Sequence, residues 1–163
     1  MSLYPTAGAK LYIGGPKEQQ KADFAAADFT GETWVEIDDL ENLGSLGDTS
    51  ETINFDGINA ARRKTLKGTR SAGTMEVVCG INNDDPGQIA AIAAEKTPHD
   101  YAFRLVLNDA PATGSDPTPS ERMFIAKVMS ASEAFDEANS VMKLNISLGV
   151  NSNVVKIAAA TGD

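Results

Sequence analysis

Alternation of apolar and polar residues with period two dominates the chain, the spacing of strands that turn one face inward. Between Val141 and Leu148, Met142, Leu144, Ile146 and Leu148 share one face, and Val141, Lys143, Asn145 and Ser147 share the other. Met75, Val77, Cys79 and Ile81 alternate with Glu76, Val78 and Gly80. Tyr101, Phe103, Leu105 and Leu107 alternate with Ala102, Arg104, Val106 and Asn108. Met123–Met129 is apolar on both faces except at Lys127, the pattern of a strand covered on both sides. Lys10–Ile13 and Thr33–Ile37 are shorter strand candidates.

One helix interrupts this pattern, over about residues 86–96. Asp85 is placed to cap it, Pro86 suits the first helical position, and Gln88 stands three residues after the cap as in a capping box. Ile89, Ile92 and Ala93 form an apolar stripe at helical spacing, and Thr97-Pro98 ends the helix. Strands on both sides of a single helix predict a mainly β fold, an antiparallel β-sandwich or barrel-like domain with one flanking helix. A length of 163 residues fits one domain. Residues 109–122, rich in Pro, Ser, Thr and Gly, read as an exposed, mobile loop. Residues 1–8 and 151–163 lack a pattern and read as terminal arms, loose unless a partner orders them.

With 42% hydrophobic residues and a single cysteine, the chain is expected to bury a core without disulfide or metal support. No signal-peptide pattern and no run of about 20 apolar residues is present. The net charge is −9. Its distribution is uneven: Glu36–Asp56 holds seven acidic residues and no basic one, whereas Gly57–Arg70 holds five basic residues and no acidic one. Large apolar residues are few across this segment, so it reads as an arm rather than core. An acidic chain with one basic patch makes a poor general nucleic-acid binder, because phosphate affinity scales with the cations that neutralise it.

The residue inventory argues against catalysis. His99 is the one histidine and follows the helix-ending proline, without a sequence-evident partner to orient it. Cys79 lies on the apolar face of a strand and reads as a buried small hydrophobe. Asp84 and Asp85 are explained by helix capping. Glu36, Asp38, Asp39 and Glu41 lack the ligand spacing and central glycine of a calcium loop. Gly44–Asp48 is not followed by the Gly-Lys-Ser/Thr of a phosphate-binding loop. Trp34 at a strand start fits core or interface. No metal and no cofactor is expected.

Two readings of the opposed charge blocks stay open. The acidic and basic arms can neutralise each other within one subunit, where exposed pairs contribute only about 0–1 kcal/mol each. Alternatively, the acidic face of one copy meets the basic face of the next, and such head-to-tail contacts generate rings or filaments.

An ordered set of features resembles the tail tube (major tail) proteins of long, non-contractile-tailed bacteriophages, the group that includes the tube protein of phage lambda. It comprises the N-terminal strand at Leu11–Gly15, Trp34–Ile37, a long charged loop, Lys64–Val77, the Asp84-Asp85-Pro86-Gly87-Gln88 helix start and Tyr101–Arg104. The likeness spans most of Leu11–Ser147. It implies a β-sandwich or barrel-like subunit, six of which form a ring whose joined sheets line a lumen. Rings stack into the tube that conducts DNA, and the long loop, here Asp38–Lys64, reaches a neighbouring ring. Carried onto this chain, the contact candidates are Asp38, Asp39, Glu41, Asp48, Glu51, Asp56, Arg62, Arg63 and Lys64. The lumen candidates, from strand alternation, are Glu76, Arg104, Lys143, Asn145 and Ser147. The implied partners are other copies of the chain and tail terminator, tape-measure and tail-tip proteins, with DNA in transit and not specifically bound. The implied location is the virion, after synthesis in the host bacterial cytoplasm. A non-enzymatic β-sandwich binding or adhesion module, and the tube of a phage-derived gene-transfer or injection particle, are the alternatives.

Overall fold

The computed structural model describes residues 2–162. Strands form at β1 (Lys10–Pro16), β2 (Val35–Ile37), β3 (Leu40–Asn42), β4 (Thr49–Phe55), β5 (Lys64–Ser71), β6 (Thr74–Gly80), β7 (Tyr101–Val106), β8 (Glu121–Ala134), β9 (Lys143–Val150) and β10 (Val155–Ile157). Helix α1 (Pro86–Glu95) lies between β6 and β7, and a short 3-10 turn occupies Ala26–Phe29. The main sheet has eight strands in the order β2-β1-β7-β8-β9-β6-β3, with β10 also paired to β8, and β4-β5 form a separate two-stranded ribbon. The pairings are antiparallel. The fold is mainly β, as the alternation predicts.

The connection between β2 and β3 forces the sheet to curl. These strands occupy opposite edges of the sheet, yet only Asp38 and Asp39 separate them in sequence. Three Cα–Cα steps of about 3.8 Å cannot span more than about 11 Å. The two edges therefore meet, and the sheet closes into a barrel-like shape. Its interior holds Leu11, Ile13, Ile37, Met75, Val77, Cys79, Phe103, Phe124, Leu144, Ile146 and Leu148, all essentially without solvent contact. These are the inward positions of the alternating strands, so period two produces the core directly. Phe103 and Phe124 face each other across the β7–β8 pair with ring centroids 5.8 Å apart.

The N-terminus of α1 seals the seam. Asp85 caps the helix, its Oδ2 accepting from Gln88 N at 3.1 Å and from Asp38 N at 3.0 Å. The Gln88 side chain does not close a capping box. It is buried, donates through Nε2 to Gly80 O (2.8 Å) and Asp38 O (3.2 Å), and accepts from Asn82 N at 3.0 Å. Asp39 adopts a left-handed φ of 59°, its carbonyl accepts from Gly80 N at 2.8 Å, and its Oδ2 accepts from Asn82 Nδ2 at 3.1 Å. The helix packs through a small face. Gly87, Gln88, Ala91 and Ala94 are buried, whereas Ile89 and Ala93 of the expected stripe are exposed. A Cβ on Gly87 would lie 2.0 Å from Glu36 O, so only glycine lets the helix backbone come this close to β2.

A second, smaller cluster covers the outer face of β7 and the first half of β8. Phe24, Phe29, Ala102, Met123 and Ile125 are buried there, with Trp34, Val155 and Ile157 packed against them. Met123–Ala126 is thus covered on both sides, but Met129 is exposed at a register shift between Val128 and Ser130. β9 begins at Lys143, leaving Val141 and Met142 exposed in the preceding turn instead of in a strand.

Side-chain hydrogen bonds hold the 109–122 loop and the C-terminal segment. Asp109 accepts from both the backbone N–H and the hydroxyl of Ser120, closing the base of the 109–122 loop. Thr118 pairs with Ala160, and Ser115 Oγ donates to Gly162 O. Further along the C-terminal segment, Asn151 N donates to Ile125 O, and Asn153 brackets Phe24 by accepting from its N–H and donating to its carbonyl. The N-terminal segment is exposed through Gly8 and touches Asn108, whose Nδ2 donates to Ala7 O. The outermost residue of each predicted arm, Met1 and Asp163, lies outside the described residues.

Candidate functional site

The Asp38–Lys64 stretch carries β3, β4 and the first residue of β5. β4 and β5 make a hairpin that, among the described residues, pairs only with itself: Thr52↔Lys67, Ile53↔Leu66, Asn54↔Thr65 and Phe55↔Lys64. Directly opposed residues share a face, so Ile53, Phe55, Lys64 and Leu66 form one side and Thr52, Asn54, Thr65 and Lys67 the other. Every residue of β4, and every residue of β5 except half-buried Gly68, is exposed. Ile53, Phe55 and Leu66 are each more than half exposed, and Ile58 in the turn is fully so. The hairpin leaves the barrel beside Thr74, the first residue of β6, and among the described residues it buries no large apolar side chain. The sequence reading missed this apolar stripe. Its signal was the spacing Ile53–Phe55 with Leu66 across the turn, set in an otherwise polar run.

The charge blocks neutralise each other in part. Arg63 Nε and Nη2 hold the two carboxylate oxygens of Asp56 at 2.7 and 2.9 Å, and Arg70 Nη2 meets Asp48 Oδ2 at 2.8 Å. The Asp56 carboxylate raises the Arg63 pKa by hydrogen bonding to the charged form. Among the described residues, Arg62, Lys64, Lys67 and Glu51 make no ion pair. Of the other contact candidates, Glu41 pairs with Lys143 at 2.9 Å. Asp38 and Asp39 belong to the barrel seam, where their backbone and side-chain groups are engaged.

The outward face of β6, β9 and the second half of β8 is open. Register places Glu76 beside Ser147 and Ser130, Val78 beside Asn145 and Ser132, and Gly80 beside Lys143 and Ala134. Glu76 accepts from Ser147 Oγ at 3.1 Å. Four of the five lumen candidates, Glu76, Lys143, Asn145 and Ser147, therefore share one surface. Arg104 does not join them. Its guanidinium lies over Tyr12 (4.5 Å) and Trp34 (5.3 Å) and faces Glu121 at 3.7 Å. Lys127, on the open face, is held by Asp100 at 2.9 Å. The charges on this face are thus largely paired, and hydroxyl and amide groups fill the rest.

The residues weighed for chemistry are dispersed. Cys79 is buried, and desolvation, helped by the charges of Asp85 and Asp39, pushes its thiol pKa up to about 11. His99 is exposed. Asp84 is exposed with its N–H donated to Asn82 Oδ1, while Asp85 is buried in its capping role. Among the described residues, no three His, Cys, Asp or Glu side chains cluster as a metal site.

No protein-family model matches the chain, and no curated protein does. Solved structures do. The chain is similar to a chain of the anti-feeding prophage baseplate (13% identity, TM-score 0.67, 97% of this chain and 98% of that one). It is similar to the SPP1 tail tube (18% identity, TM-score 0.63, 94% and 80%). It is also similar to a chain of the sheath/tube terminator of an extracellular contractile injection system (13% identity, TM-score 0.64, 97% and 99%). At these identities the likeness is one of fold.

Proposed function

We propose that this chain is a structural tube subunit: copies join side by side into rings, and rings stack into a tube that conducts DNA out of a virion. The observation that carries this reading is the β4–β5 hairpin. It is paired on both sides of a register shift between Ser50 and Thr52, apolar on one side and basic, yet among the described residues it buries no large apolar side chain in its own subunit. A two-stranded ribbon of this kind gains little stability alone, so its apolar stripe suits contact with another copy. The fold likeness to a tail tube, to a prophage baseplate chain and to an injection-system chain supports the same reading. A ring of six, a terminator, a tape-measure protein and tail-tip proteins belong to it as implied partners, and the role is non-catalytic. The likeness to chains of the anti-feeding prophage baseplate and of an extracellular contractile injection system favours, as a second reading, the tube of a phage-derived particle.

In this reading the open face of β6, β9 and β8 lines the lumen. Its lysines are paired with Glu41 and Asp100, and the remainder is Glu76 with hydroxyls and amides. Such a wall offers few free cations to phosphates, so little counterion release favours binding and DNA slides. Electron microscopy of the concentrated protein tests the proposal, with rings or tubes as the expected outcome. Reversing the unpaired cations (R62E, K64E and K67E together) should leave the subunit folded and abolish stacking. A wild-type protein that stays monomeric at every concentration and salt would overturn the reading.

A further inference from the structure

The hairpin needs a receiving surface, and the opposite pole of the barrel carries one whose chemistry matches. We propose that the β8–β9 turn and the adjoining exposed flank of α1, on a second copy of this chain, accept the hairpin; the proposal rests on the tube reading and specifies its contact.

Position is the first argument. The hairpin leaves beside Thr74, which pairs with Gly149, whereas the β8–β9 turn follows the Ala134↔Lys143 pair, at the Gly80 end of the same strands. Donor and acceptor thus sit at opposite ends of β6 and β9. A contact between unlike poles repeats along the strand direction without closing, which is the requirement for an open stack.

Chemistry is the second. Residues 133–142 hold Glu133, Asp136 and Glu137 and no basic residue, and Asp84 adds a further exposed acid at the nearby start of α1. Phe135, Val141, Met142 and Ile89 are each more than half exposed. These groups adjoin: Ile81 N donates to Met142 O at 3.0 Å, and Ile81, Ile89, Ile92 and Glu133 line one small depression. An acidic, apolar pole faces a hairpin bearing Ile53, Phe55, Ile58 and Leu66 beside unpaired Arg62, Lys64 and Lys67. Opposite charge aligns the two poles, and like charge disfavours the hairpin docking on a second hairpin.

Cysteine cross-linking tests the pairing, and native Cys79 is buried and does not compete. In I58C/E137C, oxidation of assembled material should yield a ladder of covalent oligomers on non-reducing gels, which E137C alone should not. A charge exchange supplies an independent variant. R62E/K64E should block stacking, and R62E/K64E/D136K/E137K should restore it. Tubes visible by microscopy without cross-links in I58C/E137C, or without rescue by the exchanged chain, would place the contact elsewhere while leaving the tube reading intact. Wild-type protein that forms no tubes removes the tube reading and this contact with it.

Discussion

Gly87→Ala should destabilise the subunit, although helix propensity predicts the opposite sign. In an exposed helix, replacing Gly by Ala gains about 1 kcal/mol. Here the added Cβ would sit 2.0 Å from Glu36 O, 2.6 Å from Glu36 C and 2.7 Å from Ile37 Cα. These are backbone atoms of β2, so no rotamer change relieves the clash. Reaching an ordinary C···O separation of about 3.3 Å requires the helix to retreat by about 1.3 Å. Such a shift stretches the bonds from Gln88 Nε2 to Gly80 O and Asp38 O, now 2.8 and 3.2 Å, beyond hydrogen-bonding range. Overpacking costs about 1–3 kcal/mol, and the partly buried groups released at the seam add about 1–3 kcal/mol. After subtracting the propensity gain, the expected loss is about 3 kcal/mol.

For a chain of this size that loss corresponds to a fall in Tm of about 6–12 °C. Thermal and urea unfolding of dilute protein, followed by far-ultraviolet circular dichroism, measures it. Ala93→Gly is the control, because Ala93 is an exposed position of the same helix. Propensity alone makes A93G worse than wild type by about 1 kcal/mol and G87A better; contact with β2 makes G87A the worse of the two. A G87A protein as stable as wild type would show that α1 is not seated on β2 and that Gln88 does not close the barrel seam.

Two further predictions concern titration. Hydrogen bonds from the Ser120 hydroxyl and N–H hold the Asp109 pKa below the usual carboxylate value. A depressed folded-state pKa contributes stability above the unfolded value of about 3.9 and loses it as pH falls through the folded value. Ser120→Ala should therefore lower stability at pH 7 and shrink the loss on acidification below about pH 4, read as Tm against pH; an unchanged acid limb would rule out this link. Cys79, with its pKa raised to about 11, contributes in the opposite sense. Its share of stability is full below the unfolded thiol value of about 8.5 and declines as pH rises through the folded one. At about pH 8, below the ordinary thiol value, the cysteine should resist a disulfide reagent in folded protein and react at once in denaturant; rapid labelling of the native state would contradict its burial.

The barrel was legible in the sequence because its strands obey a local rule. Inward positions in the alternating runs of β6, β7 and β9 repeat every second residue, and burial follows from the pleat. Val77 and Ile146, for example, lie directly opposite each other in the β6–β9 pair, and both are buried. Asp85 as a helix cap follows an equally local rule. What the sequence did not disclose depends on contacts between distant segments. Helical spacing alone points to Ile89 and Ala93 as buried positions, but the close approach of β2 selects the side with Gly87, Ala91 and Ala94. Met142 fits the inward period of β9, yet the strand begins one residue later, and Met142 stands exposed in the turn. The 109–122 loop and the C-terminal segment have loop composition, and the Asp109, Asn151 and Asn153 side chains that fix them reach partners well separated in sequence. Asp38 and Asp39, carried over among the contact candidates with the charged loop, also stand between two sheet edges and take part in the seam, which the sequence alone does not disclose.

The energetics of the hairpin bear on how stacking would begin. Two of the five cations in Gly57–Arg70 are held within the subunit, by Asp56 and Asp48. These exposed pairs contribute about 0–1 kcal/mol each and mainly shape the hairpin. Ile53, Phe55, Ile58 and Leu66 are each more than half exposed, so covering them gains about 1–2 kcal/mol apiece. One docked hairpin therefore gains on the order of 4–8 kcal/mol, against an association cost of about 4–15 kcal/mol. Over most of that range the cost exceeds what the hairpin's own side chains gain, so a single contact gives at most weak association of two free subunits. In a ring the same contact is repeated around the circumference, and after the first has formed the others are intramolecular. If copies join into rings as proposed, the hairpin would favour ring upon ring over monomer upon monomer.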